Sequence, residues 1–131
     1  MSWLHYFCHK KKLQMKRVAI PVVNKRLSEY FGECNHYEIF EIDKKMSRKK
    51  TAQMPSGIAL NELPGWLENQ GITDVIAYKV NREIITLFAS KKVNLFIGIP
   101  IDSPENLIND YMNGKLESDK KIIAEITKTE N

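Results

Sequence analysis

The chain has 131 residues, 43% of them apolar, and a formal net charge of +4. That is enough to build one domain with a real core, and no run approaches the roughly 20 apolar residues that a membrane span needs. In the opening residues, MSWLHYFCHKKKLQ, the apolar part precedes the lysines and no small-residue cleavage site follows, so no secretory signal is read and a cytoplasmic protein is expected.

Two cysteines, Cys8 and Cys34, make no disulfide framework in a chain of this size, and reduced thiols are expected. His5, Cys8 and His9 fall close together, but zinc sites take their four ligands as two spaced pairs, a pattern that is missing. Lys10, Lys11, Lys12, Lys16 and Arg17 form one basic run, and Lys44, Lys45, Arg48, Lys49 and Lys50 form another. Neither interleaves aromatic residues for base stacking, which argues against a nucleic-acid partner. The second reads as a solvated turn.

In chain order, residues 17–23 (RVAIPVV) have the unbroken apolarity of a buried strand, with Pro21 suggesting an edge or a bulge. Residues 27–35 read as a loop pivoting at Gly32. Residues 37–43 alternate as a second strand; residues 44–50 follow as a basic turn, and residues 51–53 as a short returning strand. Leu60, Leu63 and Leu67 mark a helix that Asn61 can cap and Gly71 closes. Residues 74–78 (DVIAY) form a buried strand. Asn81 caps a helix with Ile84, Ile85, Leu87 and Phe88 on its apolar face, and residues 94–99 (NLFIGI) form another strand.

Ser103-Pro104-Glu105 is a helix start, and Leu107, Ile108, Tyr111 and Met112 supply that helix's buried stripe. Beyond Glu117 the chain is a charged tail with Ile122, Ile123 and Ile126 as its apolar anchors. Strands alternating with helices imply parallel pairing through crossovers, hence a three-layer α/β domain with a mixed five-stranded sheet flanked by helices. In such a sheet ligands bind beyond the carboxyl ends of the strands, here at residues 24–36, 54–60 and 79–82.

Within the first of these loops stands Cys34-x-His36. In an extended segment both side chains would face one side, and a thiolate with an imidazole is a soft donor pair for a metal or cluster. The structural alternative is a reduced cysteine packed as a small hydrophobe, with His36 facing solvent at the start of a strand. Lys79 and Arg82 could draw an anion to a helix N-terminus. Glu38, Glu41 and Asp43 share a single segment, split between its faces, and the first strand carries no acid. No two-metal nuclease site or nucleophile–base pair follows, and no catalysis is expected.

From about Lys16 to Glu117 the chain resembles the dinitrogenase iron–molybdenum cofactor-binding domains, which have a ribonuclease H-like fold. RVAIPV resembles the family's first strand, and residues 28–34 (SEYFGEC) resemble its Ser-x-His-Phe-Gly-x-(Ala/Cys) loop. Residues 63–67 (LPGWL) and 70–77 (QGITDVIA) resemble the stretch that leads to its glycine-rich loop. Phe96-Ile97-Gly98, with Ser103-Pro104-Glu105 through Glu117, resembles its last strand and helix.

The resemblance implies a non-catalytic accessory or carrier domain, residues 15–117, between an N-terminal extension (1–14) and a charged tail (118–131). It would bind an iron–molybdenum or other iron–sulfur-type cluster and exchange it with a donor or acceptor protein. The positions implied for the cofactor are Tyr30, Gly32, Cys34, Ser56, Lys79 and Asn81, with Cys34 and His36 as metal ligands. Tyr30 stands where the family often has histidine, Ser56 where relatives have the histidine of Pro-His, and Tyr78-Lys79-Val80-Asn81 where Gly-Gly-x-Gly is usual. The ligand set is thus degenerate, and the alternative is a cofactor-free interaction or regulatory module on the same fold.

Overall fold

A computed structural model describes residues 15–44 and 46–129, with side chains described as far as Ile126. The expected extension at residues 1–14, with its His5-Cys8-His9 group, lies outside the described residues. Strand β1 (Lys16–Val23) is buried without a break from Val18 to Val22. Its side chains alternate between two cores. Val18, Ile20 and Val22 enter one, and Ala19 enters the other.

Pro21 was expected to mark an edge or a bulge, but β1 is central. It pairs antiparallel with β3 (His36–Asp43), in a register that runs through Pro21 without a bulge, and parallel with β5 (Asp74–Ile76). The Pro21 carbonyl accepts from the Ser28 N–H at 2.9 Å, on the side away from β3. The proline nitrogen points the same way, and pairing with β5 has already ended at Ala19, so no ladder bond is lost.

Asn24 and Lys25, with φ of 51° and 65°, form a two-residue turn into β2 (Arg26–Leu27), inside the stretch expected as loop. Two left-handed residues give the primed turn whose twist suits adjacent antiparallel strands. Strand β4 (Met46–Gln53) replaces most of the expected basic turn. Its residues were misjudged because an edge strand buries little and shows no apolar alternation. Opposite charges on β3 set its partners instead: Lys49 Nζ lies 3.3 Å from Glu38 and Lys50 Nζ 3.5 Å from Glu41. Lysines along an exposed edge also discourage pairing with another chain.

A 3-10 turn (Leu60–Glu62) leads into α1 (Leu63–Asn69). The Glu62 carboxylate, rather than Asn61, closes the entry by accepting from the Ala59 N–H at 2.9 Å. Helix α2 (Arg82–Ala89) begins at Asn81, whose Oδ1 accepts from the Ile84 N–H at 2.9 Å. Helix α3 (Pro104–Met112) begins at Ser103. Strand β6 (Asn94–Phe96) pairs parallel with β5 and stops short of its expected end because Gly98 turns left-handed, with φ of 77°. The segment expected as a tail forms α4 (Lys120–Thr129), whose first turn is capped by Asp119.

The result is a mixed six-stranded sheet of order β4-β3-β1-β5-β6, with the two-residue β2 beside β1. Helices pack on both faces. Leu63, Leu67, Ile84 and Phe88 cover one together with α4's isoleucines, and Leu107 and Ile108 cover the other. No helix among the described residues is long and apolar enough to cross a membrane.

The left-handed Lys25 generates a direct expectation. Lys25→Gly removes a steric cost and raises stability by up to about 1 kcal/mol, read as a higher urea midpoint at unchanged slope. An unchanged or lower midpoint would contradict the turn assignment.

Candidate functional site

Beyond the carboxyl ends of β1 and β5, two loops are joined by their backbones. The Phe31 N–H donates to the Lys79 carbonyl at 2.9 Å, and the Lys79 N–H donates to the Glu29 carbonyl at 3.1 Å. Tyr30 and Lys79 thereby form an isolated parallel bridge. The first loop is held from within by Ser28, 2% exposed, whose hydroxyl lies 2.8 Å from the Tyr30 carbonyl and 2.9 Å from that of Glu33. Phe31 anchors it, with its ring edge-on to Phe88 at 5.6 Å and to Tyr37 at 6.4 Å. Gly32 then turns with φ of 97°, and a Cβ there would fall 2.4 Å from Leu60 Cδ1.

These loops border a cleft of about 370 Å³ lined by Tyr30, Phe31, Glu33, Leu60, Lys79, Val80, Asn81, Ile122, Glu125 and Ile126. Tyr30 is 45% exposed. The Lys79 ammonium stands 5.4 Å from the Tyr30 ring centroid, 5.5 Å from that of Tyr78 and 3.8 Å from a Glu29 carboxylate oxygen. An exposed ion pair of this kind is worth at most about 1 kcal/mol, so the ammonium is free to exchange partners. The site therefore offers an apolar floor, the Tyr30 ring and one lysine among the carboxylates of Glu33 and Glu125.

Of the residues expected from sequence, Tyr30, Lys79 and Asn81 meet at this cleft, with Gly32 shaping its first loop. Ser56 is exposed in a turn with Gly57 and does not line it. Cys34 packs instead against the core beneath α1, beside Tyr37. His36 lies opposite Val22 on the other face of the sheet, with Nε2 3.6 Å from Glu38. Alternation does not unite the pair, because the chain bends at Asn35 before β3 begins. Among the described residues no three His, Cys, Asp or Glu side chains converge as a metal site.

Burial pushes the Cys34 thiol pKa up, partly offset by the Tyr37 hydroxyl and the Val22 backbone. Burial and the neighbouring thiol push the Tyr37 phenol up as well. Both groups are neutral at physiological pH. Their raised values stabilise the fold below the thiol's ordinary value of 9.0, and that stability is lost as pH climbs through the raised pKa values.

Ile122, Glu125 and Ile126 are the lining residues that sequence reasoning did not assign to a site. The usable signal was the Ser118-Asp119 cap followed by isoleucines at helical spacing.

Two measurements check this geometry. Gly32→Ala and Gly57→Ala, both left-handed, should each cost about 1–2 kcal/mol through φ, since the Leu60 methyl group that a Cβ at Gly32 would meet ends an exposed side chain and can turn aside. No loss in either variant would contradict the left-handed turns. In a Cys8→Ser background, iodoacetamide should label native Cys34 roughly tenfold or more slowly than the unfolded chain at pH 8, with the rate rising at higher pH. Equal rates would show an exposed thiol of ordinary acidity.

No protein-family model matches the chain. An uncharacterized protein of Methanocaldococcus jannaschii is 24% identical over 113 residues, which span 81% of this chain and 93% of the relative. The crystal structure of PH0822 superposes with a TM-score of 0.72 at 23% identity, covering 79% of this chain and 95% of that one. A candidate dinitrogenase from Methanocaldococcus jannaschii gives 0.64 at 19%, covering 79% and 94%. The apo form of the orange protein from Desulfovibrio gigas gives 0.66 at 9%, covering 82% and 95%. At these identities the likeness establishes a shared mixed α/β fold that spans nearly the whole of each neighbour.

Proposed function

We propose that this chain is a non-catalytic accessory protein related to the dinitrogenase iron–molybdenum cofactor-binding domains, and that the Tyr30–Lys79 cleft is its ligand site. The observation that carries this reading is the backbone bridge between Phe31 and Lys79. It builds a preformed concave site where an open α/β sheet binds ligands, from the two loops that carry the sequence resemblance. The fold shared with a candidate dinitrogenase supports it.

The donor set decides what such a site can hold. Among the described residues no thiol or imidazole lines the cleft, so the residues that line it are not the donors of a covalently ligated cluster. They fit a ligand held chiefly by shape, with an anionic group reaching Lys79 between the carboxylates of Glu33 and Glu125. Lys79 supplies the positive charge, the rings of Tyr30 and Tyr78 flank it, and Phe31, Leu60 and Val80 supply apolar contact. Donor or acceptor proteins for a metal–sulfur cluster are the partners this role implies.

A second reading, a cofactor-free interaction module, is favoured by the isoleucines that α4 contributes to the same cleft.

The test is anaerobic incubation with isolated iron–molybdenum cofactor, followed by desalting and metal analysis of wild type, Lys79→Glu and Cys34→Ala. Near-stoichiometric metal on wild type and Cys34→Ala, cut at least about tenfold by Lys79→Glu, is the expected outcome. Loss in Cys34→Ala alone would move the site away from the cleft. No retention by any of the three would leave the cofactor-free module as the function.

A further inference from the structure

Among the described residues the cleft carries both signs of charge. Lys79, Glu33 and Glu125 line it, Glu29 reaches Lys79 at 3.8 Å, and Arg82 follows Asn81 as the first residue of α2. However these groups pair, two cations stand among three carboxylates. A ligand with several negative charges therefore gains no net attraction, and a simple cation is repelled at Lys79.

One cation and one anion come from fixed backbone. The Lys79 backbone is bonded to Phe31 and Glu29. The Glu33 N–H donates to the Tyr30 carbonyl at 3.1 Å, and the Glu33 carbonyl lies 2.9 Å from Ser28 Oγ. Asn81 adds a donor, because the Ile84 N–H takes its Oδ1 and leaves Nδ2 for an acceptor. The remaining surface is apolar. Tyr30 and Leu60 are 45% and 40% exposed, and Ile122 and Ile126 are half-buried beside them. A ligand that covers them removes apolar surface from water. The cleft's volume of about 370 Å³ suits a compact molecule.

We infer that the cleft takes a small apolar zwitterion, an α-amino acid with a large apolar side chain. Its carboxylate meets Lys79 and Asn81, its ammonium group meets Glu33, and its side chain lies against Leu60, Ile122 and Ile126. A peptide end, which carries only one of the two charges, lacks this match. The inference rests on the proposed function only in taking the cleft as the ligand site.

The test is titration of the isotope-labelled full chain with L-phenylalanine, followed at the amides of Phe31, Gly32, Glu33, Lys79, Val80 and Asn81. These should shift saturably, whereas glycine, without an apolar side chain, should leave them in place. 3-Phenylpropanoate lacks the ammonium group and 2-phenylethylamine lacks the carboxylate, and each should bind about three- to fivefold more weakly. Glu33→Gln should close the first gap and Lys79→Gln the second.

Equal affinity for phenylalanine and 3-phenylpropanoate, or gaps that persist in the two variants, would overturn the inference. Silence with phenylalanine would overturn it too. If isolated iron–molybdenum cofactor still perturbs the same amides, the proposed function stands without it, and silence with both ligands removes the cleft as a site.

Discussion

Two backbone hydrogen bonds, Phe31 to Lys79 and Lys79 to Glu29, are the constraint on which the rest of this site depends. They extend parallel pairing past the ends of β1 and β5, where the chain would otherwise separate into independent loops. Everything nearby serves that junction. The Ser28 hydroxyl lies within hydrogen-bond reach of two loop carbonyls, the Phe31 ring locks one side into the core, and Asn81 starts α2 directly after the other. The cleft is therefore rigid on its loop side, and preorganisation of this kind lowers the entropic cost of holding a ligand.

The placement of charge and sulfur follows a consistent logic. Lys79 stays at the surface, paired weakly and set over two rings, where its charge is available. Cys34 turns inward beside Tyr37, where burial keeps the thiol protonated and unsuited to act as a thiolate ligand. The basic strand β4 is engaged with the carboxylates of β3, so its lysines are spent on holding an edge. At the mouth of the cleft, Lys79 is thus a surface cation held only by a weak pair.

Much of this was legible in the sequence because the signals were local. Unbroken β-branched residues gave β1, alternation gave β3, and Asn81 and Ser103 gave the starts of α2 and α3. The loops that hold Tyr30, Lys79 and Asn81 could be placed together because strand ends converge in an open sheet, and the family resemblance pointed to those residues within them. What escaped depended on tertiary context. The strand β4 is polar on both faces, and only its register with Glu38 and Glu41 makes it a strand. The bend at Asn35 sends Cys34 and His36 to opposite faces, which no spacing rule could reveal. Helix α4 hides three isoleucines among charges, and its seat exists only because Gly98, 21 residues before Asp119, carries no side chain.

The most direct test of the central claim, that the ligand site is the cleft between the two bridged loops, is a residue-resolved one. Amide spectra of the isotope-labelled full chain would be recorded anaerobically during titration with isolated iron–molybdenum cofactor. The account predicts that the amides of Phe31, Lys79, Val80 and Asn81 shift or broaden first, followed by those of residues 119–126, while His36 and Glu38 stay unchanged. Perturbation centred on Cys34, His36 and Ser56, with the cleft silent, would contradict it.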